Sequence, residues 1–107
     1  MSKIKAIIKR PDEEYGHITY ISNTLHNLQN IVDGYIEVVN YKGITIICNE
    51  EGKLRDLKPN IMLGRDILVG TIIVCGTDGE EFADIPIDFQ RWKNIVNMNG
   101  INMEVFE

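Results

Sequence analysis

Short apolar runs separated by polar turns constrain the fold of this 107-residue chain more than any other feature. An extended backbone over Lys3–Lys9 places three apolar side chains on one face and Ile7 on the other, so this run is predicted to be a strand. Further strands are predicted at His17–Ile21, Tyr35–Val39, Ile44–Cys48 and Ile67–Cys75. The last run is the most apolar and is predicted to be a central strand buried on both faces. Gly70 inside it indicates a bulge or a close backbone approach, or alternatively a wall that a planar ligand could reach.

Two segments repeat apolar residues at helical spacing instead. The first helix is predicted to begin at a cap on Ser22 or Asn23 and to end near Val32. The second is predicted to cover Asp88–Met98, with a C-cap at Asn99-Gly100.

The remaining segments complete the predicted architecture. Leu54–Arg65 is predicted to be an ordered connection with one helical turn, and Ile101–Phe106 a short edge strand. Runs of strands with two helices, rather than strict alternation, indicate the α+β class. We therefore predict a single compact domain over residues 1–107, with a mainly antiparallel sheet of about five strands and two helices.

The charge of the chain excludes several classes of partner. The formal net charge is −5, and the 11 Lys and Arg residues are scattered along the sequence. Duplex nucleic acid requires a concentrated basic surface, so we expect no duplex nucleic acid as a partner. The N-terminus lacks the apolar stretch of a signal peptide, and no apolar run approaches the ~20 residues that span a bilayer. We expect a cytoplasmic protein with no membrane partner.

Residue types that serve catalysis and metal binding are scarce. The two histidines, His17 and His26, lie on different predicted elements, and no CxxC or HxxxH spacing occurs. The two cysteines, Cys48 and Cys75, lie inside predicted strands, where a thiol packs as a small apolar group and is unreactive. We therefore expect no catalytic residue, no metal, no cofactor and no enzymatic activity.

The most distinctive polar segment is the turn Asn49-Glu50-Glu51-Gly52-Lys53. Paired glutamates in turns are usually solvated, but Glu50 is singled out because polar and basic side chains crowd the same turn. Further polar residues follow on segments that we expect to fold against it, namely Asn60, Arg65 and Thr71. This turn and its neighbours are the predicted ligand-binding region.

Several segments together resemble a known family. They are Gly34-Tyr35-Ile36-Glu37-Val38-Val39, Ile47-Cys48-Asn49-Glu50-Glu51-Gly52-Lys53, Pro59-Asn60 and Val69-Gly70-Thr71. In these residues the chain resembles a family of small proteins known only as domain of unknown function 3846, found in low-GC bacteria and their phages. The resemblance implies no enzymology. It implies a stand-alone intracellular protein carried by a phage or mobile element, a class that acts by binding host proteins or by sequestering nucleotide immune signals.

The leading hypothesis is a non-catalytic, phage-encoded anti-defence protein that acts as a sponge for a small nucleotide signal. Basic side chains would neutralise its phosphates, and Tyr35 or Tyr41 would stack on a base. Asparagine amides would bind base edges, and Glu50 would accept a hydrogen bond from an amino group. The predicted ligand-binding set is Tyr35, Asn49, Glu50, Lys53, Asn60, Arg65 and Thr71. Because a monomer of this size has little concave volume, we expect a site between subunits of a homo-oligomer.

The alternative hypothesis is a protein–protein interaction module that inhibits or adapts a host protein. The acidity of the chain supports this hypothesis, and so do five late residues, since aromatic residues and methionine are favoured at interfaces. These residues are Phe89, Trp92, Met98, Met103 and Phe106. The competing interpretation is that Phe89 and Trp92 pack the second helix on the sheet. The sequence leaves open whether these residues belong to the core or to an interface.

Overall fold

The computed structural model describes residues 2–99 of the protein. These residues form eight strands and two helices. The strands are β1 (Lys3–Lys9), β2 (His17–Ser22), β3 (Ile36–Tyr41), β4 (Ile44–Asn49), β5 (Pro59–Leu63), β6 (Asp66–Val69), β7 (Ile72–Asp78) and β8 (Glu81–Ala83). The helices are α1 (Leu25–Val32) and α2 (Phe89–Asn99).

Six of the strands form one antiparallel sheet with the order β2-β1-β7-β4-β3, and β8 pairs with the far end of β7. Strand β7 lies at the centre of this sheet, and its residues from Ile72 to Cys75 are buried. The predicted α+β class is therefore confirmed, with six strands in the main sheet rather than five. Strand β8 was not predicted, because it is only three residues long and lies between a polar turn and an irregular segment.

Alternation along the strands gives the sheet two apolar faces. On one face, Ile4 and its neighbours pack against Leu28 of α1. On the other face, Ile7 and Val74 belong to a cluster that includes Trp92 of α2 and the apolar residues of β5 and β6. The opposite placement of Ile4 and Ile7 is as predicted from the alternation. Because both cores share one sheet, the described residues form a single domain.

The apolar run Ile67–Cys75 is two strands rather than one. The chain turns at Gly70, whose φ of +75° lies in the left-handed region. A Cβ on Gly70 would lie only 2.9 Å from Cδ1 of Leu57, so this side chain covers the glycine. Gly70 is thus a turn and packing position, and the alternative of a wall open to a planar ligand is wrong.

The predicted connection Leu54–Arg65 is wrong in its second half. Its first residues do form a turn, with the Arg55 amide donating to the Glu51 carbonyl at 2.9 Å. From Pro59 onward, however, the chain is strand β5, which pairs with β6 as a hairpin. Proline at the first position of a strand is compatible with this assignment, since that residue need not donate to the ladder.

Both predicted helices are present. The N-cap of α1 is Thr24, rather than Ser22 or Asn23, and its Oγ1 accepts a hydrogen bond from the Asn27 amide at 3.2 Å. The helix ends at Val32, as predicted, and its C-cap Asp33 has a left-handed φ of 63°. The predicted C-cap at Gly100 and the predicted strand over residues 101–106 lie outside the described residues.

Helix α2 settles the role of the tryptophan. Trp92 is fully buried, and its Nε1 donates to the Tyr15 carbonyl at 2.8 Å. Phe89 packs half-buried against the same core, whereas Met98 remains 78% exposed. The packing interpretation of Phe89 and Trp92 is therefore confirmed, and a Trp92→Ala variant would report on folding rather than on an interface.

Neither α1 nor α2 combines the length and the apolar content that crossing a membrane requires, and this finding covers residues 2–99.

Candidate functional site

A cavity of about 200 Å³ lies between the edge strand β3, the Asn49–Lys53 turn and the β5–β6 hairpin. It is lined by Glu37, Cys48, Asn49, Glu50, Lys53, Leu54, Asp66, Ile67, Leu68 and Val69. Three predicted site residues, Asn49, Glu50 and Lys53, thus meet at one cavity. Its apolar wall comes mainly from β6, and its polar wall comes from β3 and the turn.

Hydrogen bonds to the end of α1 hold the turn in place. Asn49 is buried, and its Nδ2 donates to the carbonyls of Val32 and Asp33, each at 3.0 Å. Its Oδ1 accepts from the Glu51 amide at 2.8 Å. Arg55 adds a bond from Nη1 to the Asp33 carbonyl at 2.6 Å and an ion pair from Nη2 to its carboxylate. Asn49 therefore caps the C-terminal carbonyls of α1 and positions the turn.

The charged groups around the cavity are predominantly negative. Glu37, Glu50 and Asp66 contribute carboxylates, and Lys53 contributes the only ammonium among the lining residues. Lys53 Nζ lies 3.0 Å from Asp66 Oδ1, so its charge is already paired. Both partners are largely exposed, and the pair is screened by solvent. The cavity thus offers carboxylates for a hydrogen-bond donor or a cation rather than free cations for a phosphate.

Cys48 lies on the floor of the cavity as a neutral thiol. Its Sγ is 3.8 Å from both the backbone oxygen and Oε1 of Glu37. Burial, followed by the charge of Glu37, raises the pKa of the Cys48 thiol to about 11. Cys75, a residue of β7 in the core that packs against α1, has a pKa raised by burial to about 12. Both cysteines are free and buried, so neither supplies a thiolate nucleophile near neutral pH.

Asn60 lies away from the cavity, in a buried network with Lys9. Its Nδ2 donates to the carbonyls of Lys9 and Gly70, each at 2.8 Å, and its Oδ1 accepts from Lys9 Nζ at 2.8 Å. Burial lowers the pKa of Lys9, partly opposed by the charges of Glu13 and Asp12. The Asn60 amide is therefore satisfied within the chain, where it joins β5 to β1.

The other predicted residues, Tyr35, Arg65 and Thr71, do not line the cavity. Tyr35 is 65% exposed, and its carbonyl accepts from the Glu50 amide at 2.8 Å, so it lies next to the polar wall. Arg65 lies in the exposed turn between β5 and β6, one residue before Asp66. Thr71 is half-buried between Gly70 and β7. The structure thus brings Tyr35 close to the Asn49–Lys53 turn and leaves Arg65 and Thr71 outside the lining.

Sequence reasoning missed Glu37 and Asp66. Glu37 pairs with Cys48 because the hairpin of β3 and β4 turns on Lys42 and Gly43 alone, both with positive φ. A two-residue turn at these positions fixes the register, so the pairing could have been found from the sequence. Asp66 reaches the cavity only because the β5–β6 hairpin folds over the sheet, and no local pattern predicts that packing.

No group of three or more His, Cys, Asp and Glu side chains within residues 2–99 has the arrangement of a metal site.

A family model described as a domain of unknown function (DUF3846) matches residues 4–97. The chain belongs to the DUF3846 family. The resemblance found in the sequence is thereby confirmed, and every residue that lines the cavity lies within the matched DUF3846 segment. The searches of curated proteins and of solved structures found no match.

Proposed function

We propose that this DUF3846 protein is a non-catalytic interaction module. Its cavity binds lysine or arginine side chains of a partner protein. The observation that supports this proposal is the charge of the lining, where three carboxylates meet one lysine that is already ion-paired. Carboxylates held at a partly apolar cavity favour lysine or arginine side chains, whose methylene stems pack on apolar walls. This proposal advances the second sequence hypothesis over the first.

The rim of the cavity supports a protein partner as well. Leu54 lines it and is 88% exposed, and Tyr35 beside it is also largely exposed. An aromatic residue and a large apolar residue next to a charged recess form the mixture found at protein interfaces. We place the protein in the cytoplasm as part of this proposal, with a host protein as the partner and a phage as the carrier.

Site-specific photo-crosslinking tests this proposal in cells that produce the protein. A photoreactive residue at Leu54 should capture a partner protein, and Glu50→Lys should reduce that capture several-fold. The matched control is Leu25, an exposed leucine on α1 at the opposite face of the sheet, 58% exposed. Equal capture at the two positions, or none at Leu54, would contradict the proposal.

A second candidate is the sequestration of a small nucleotide signal. Tyr35 is exposed and its backbone bonds to that of Glu50, which favours this candidate, because a base can stack on tyrosine while its amino group donates to a carboxylate. The shortage of unpaired cations at the cavity weighs against it. Under this candidate, a second subunit would have to bring basic residues to the site, as a homo-oligomer allows.

Calorimetry against cyclic oligonucleotides and ADP-ribose derivatives tests the second candidate. Binding that is lost in Tyr35→Ala and retained in Tyr20→Ala, a similarly exposed tyrosine on β2, would support it. Light scattering on the same samples gives the oligomeric state. Silence across the panel, or a monomeric mass with bound nucleotide, would contradict nucleotide binding between subunits.

A further inference from the structure

Strand β3 is an edge of the main sheet. It pairs with β4 on one side, and residues 2–99 place no strand on its other side. The register joins Tyr41 to Ile44 across the two-residue turn, so Tyr41, Val39 and Glu37 direct their backbone groups toward β4. The bond from the Glu50 amide to the Tyr35 carbonyl extends the same series.

The backbone N–H and C=O groups of the alternate residues of β3 therefore point away from β4, toward the open edge of the sheet. These residues are Ile36, Val38 and Asn40. Each offers one N–H and one C=O to an added strand, which is the requirement for strand addition at a sheet edge. The edge is six residues long and uninterrupted by proline, so it can accept a complete short strand.

The side chains of β3 connect this edge to the cavity. Val39 packs on the core that contains Trp92, so Glu37, which is two residues away, lies on the same face of the sheet. Glu37 also lines the acidic cavity. In an antiparallel added strand, the residue opposite Glu37 would form a non-hydrogen-bonded pair, in which side chains approach most closely.

We infer that the β3 edge binds an extended segment of a partner protein as an added strand, with a lysine or arginine of that segment opposite Glu37 and in the cavity. This inference rests on the proposed function and names the form of its partner. Charge selects the occupant, because Glu37 and Glu50 line the cavity and the ammonium of Lys53, the one basic residue in the lining, is already paired with Asp66. A second copy of this chain would bring its own Glu37 and a further net charge of −5 to the same edge.

Hydrogen exchange with a defined peptide tests the inference. The probe is the capped peptide Thr-Val-Thr-Lys-Thr-Val-Thr, and the matched control has norleucine in place of lysine. Exchange at the amides of Ile36, Val38 and Asn40 should slow at least tenfold with the lysine peptide. The amides of Glu37 and Val39, which already bond to β4, should not change.

Two variants separate the contribution of the Glu37 charge to peptide binding from that of the backbone hydrogen bonds. Glu37→Gln should weaken binding of the lysine peptide about tenfold, since hydrogen bonds to charged groups are among the stronger ones. Val38→Pro removes an outward N–H and should abolish binding, with thermal melting as the control for folding. A lysine peptide N-methylated at alternate residues tests the same bonds without changing the protein, and it should not bind.

Several results would overturn the inference. Equal binding of the norleucine peptide would show that charge does not select the occupant. Binding that survives Val38→Pro and N-methylation would show that a basic side chain enters the cavity without an added strand, in which case the proposed function stands. Slow exchange at Val38 in the free protein would show that the edge is already covered. Failure of the proposed function itself is detected separately, by the absence of capture at Leu54.

Discussion

Single buried polar side chains decide how the segments of this protein fit together. Asn49 and Asn60 were both predicted as ligand contacts, yet the side-chain amide of each donates to backbone carbonyls of other segments. A buried amide that satisfies several backbone groups is costly to remove, because its partners lose their hydrogen bonds without regaining water. Their placement explains why polar residues in a turn or strand need not face a ligand.

Replacing Asn60 should destabilise the fold strongly. Asn60→Ala removes the amide donor to the carbonyls of Lys9 and Gly70 and the shortest hydrogen bond of the Lys9 ammonium, and we expect a loss of about 3 kcal/mol in the free energy of unfolding. Asn94→Ala, on the exposed surface of α2, should cost less than about 0.5 kcal/mol. Urea unfolding measures both, and similar costs would contradict the structural role of Asn60.

The buried thiols should make the protein less stable in alkaline solution. Their ordinary pKa is 9.0, and burial raises it to about 12 for Cys75, so thiolates form in the unfolded chain first. The unfolded chain then holds fewer protons above pH 9, and stability from this group is lost as pH rises toward the folded pKa. The cost of Cys75→Ala should therefore shrink above pH 9, by about 1.4 kcal/mol per pH unit.

Urea unfolding of the wild type and of Cys75→Ala at pH 7 and pH 10 measures this change. Groups common to both proteins, such as Lys9, cancel in the difference. A cost that is the same at both pH values would contradict the assignment of a buried neutral thiol.

At the scale of elements, close packing of backbone against backbone fixes the connections between strands. The turn before β2 passes over β1 at Gly16, where an added Cβ would lie 2.3 Å from the Ile8 carbonyl oxygen. The β5–β6 turn has Gly64 in a similar left-handed conformation, with φ of +62° against +77° at Gly16, but no neighbour within 4 Å of an added Cβ. The two glycines therefore form a matched pair.

Substitution of these glycines should separate backbone strain from crowding. Gly64→Ala should lower the free energy of unfolding by about 1 kcal/mol, because alanine is strained in the left-handed conformation. Gly16→Ala must also displace β1 and should lower it by at least about 3 kcal/mol. Thermal unfolding with circular dichroism measures the two variants. Equal melting temperatures would contradict the close approach of the turn to β1.

At the scale of the whole molecule, the proposed peptide binding leads to a prediction about net charge. The net charge of −5 and the carboxylates of the cavity should steer basic peptides toward β3. Between 50 and 500 mM salt we expect the association rate of the lysine peptide to fall about fivefold, since salt screens exposed charges. Stopped-flow mixing measures the rate.

The control for this steering is a variant that removes a distant charge. Glu80→Gln, in the turn between β7 and β8, should leave most of the salt dependence, whereas Glu37→Gln should reduce it clearly. An association rate that does not depend on salt would show that electrostatic steering plays no part.

The sequence by itself determined the α+β class, both helices, most strand positions and the family. These features depend on local periodicity, caps and turns, which act over a few residues and are visible in the chain. The sequence also pointed to the Asn49–Lys53 turn, which the structure places at the cavity. It was misleading at Ile67–Cys75, because apolar content marks burial but does not show that the chain turns at Gly70.

Only the tertiary structure decided which side chains meet. The β5–β6 hairpin folds over the face of β4 and brings Asp66 to Lys53, while Asn60 is turned away to Lys9. Such meetings depend on register and on packing between segments distant in sequence, for which no local pattern exists. For the same reason the sequence predicted a site for an anionic ligand, whereas the charged residues that line the cavity of the folded protein are three carboxylates and one lysine.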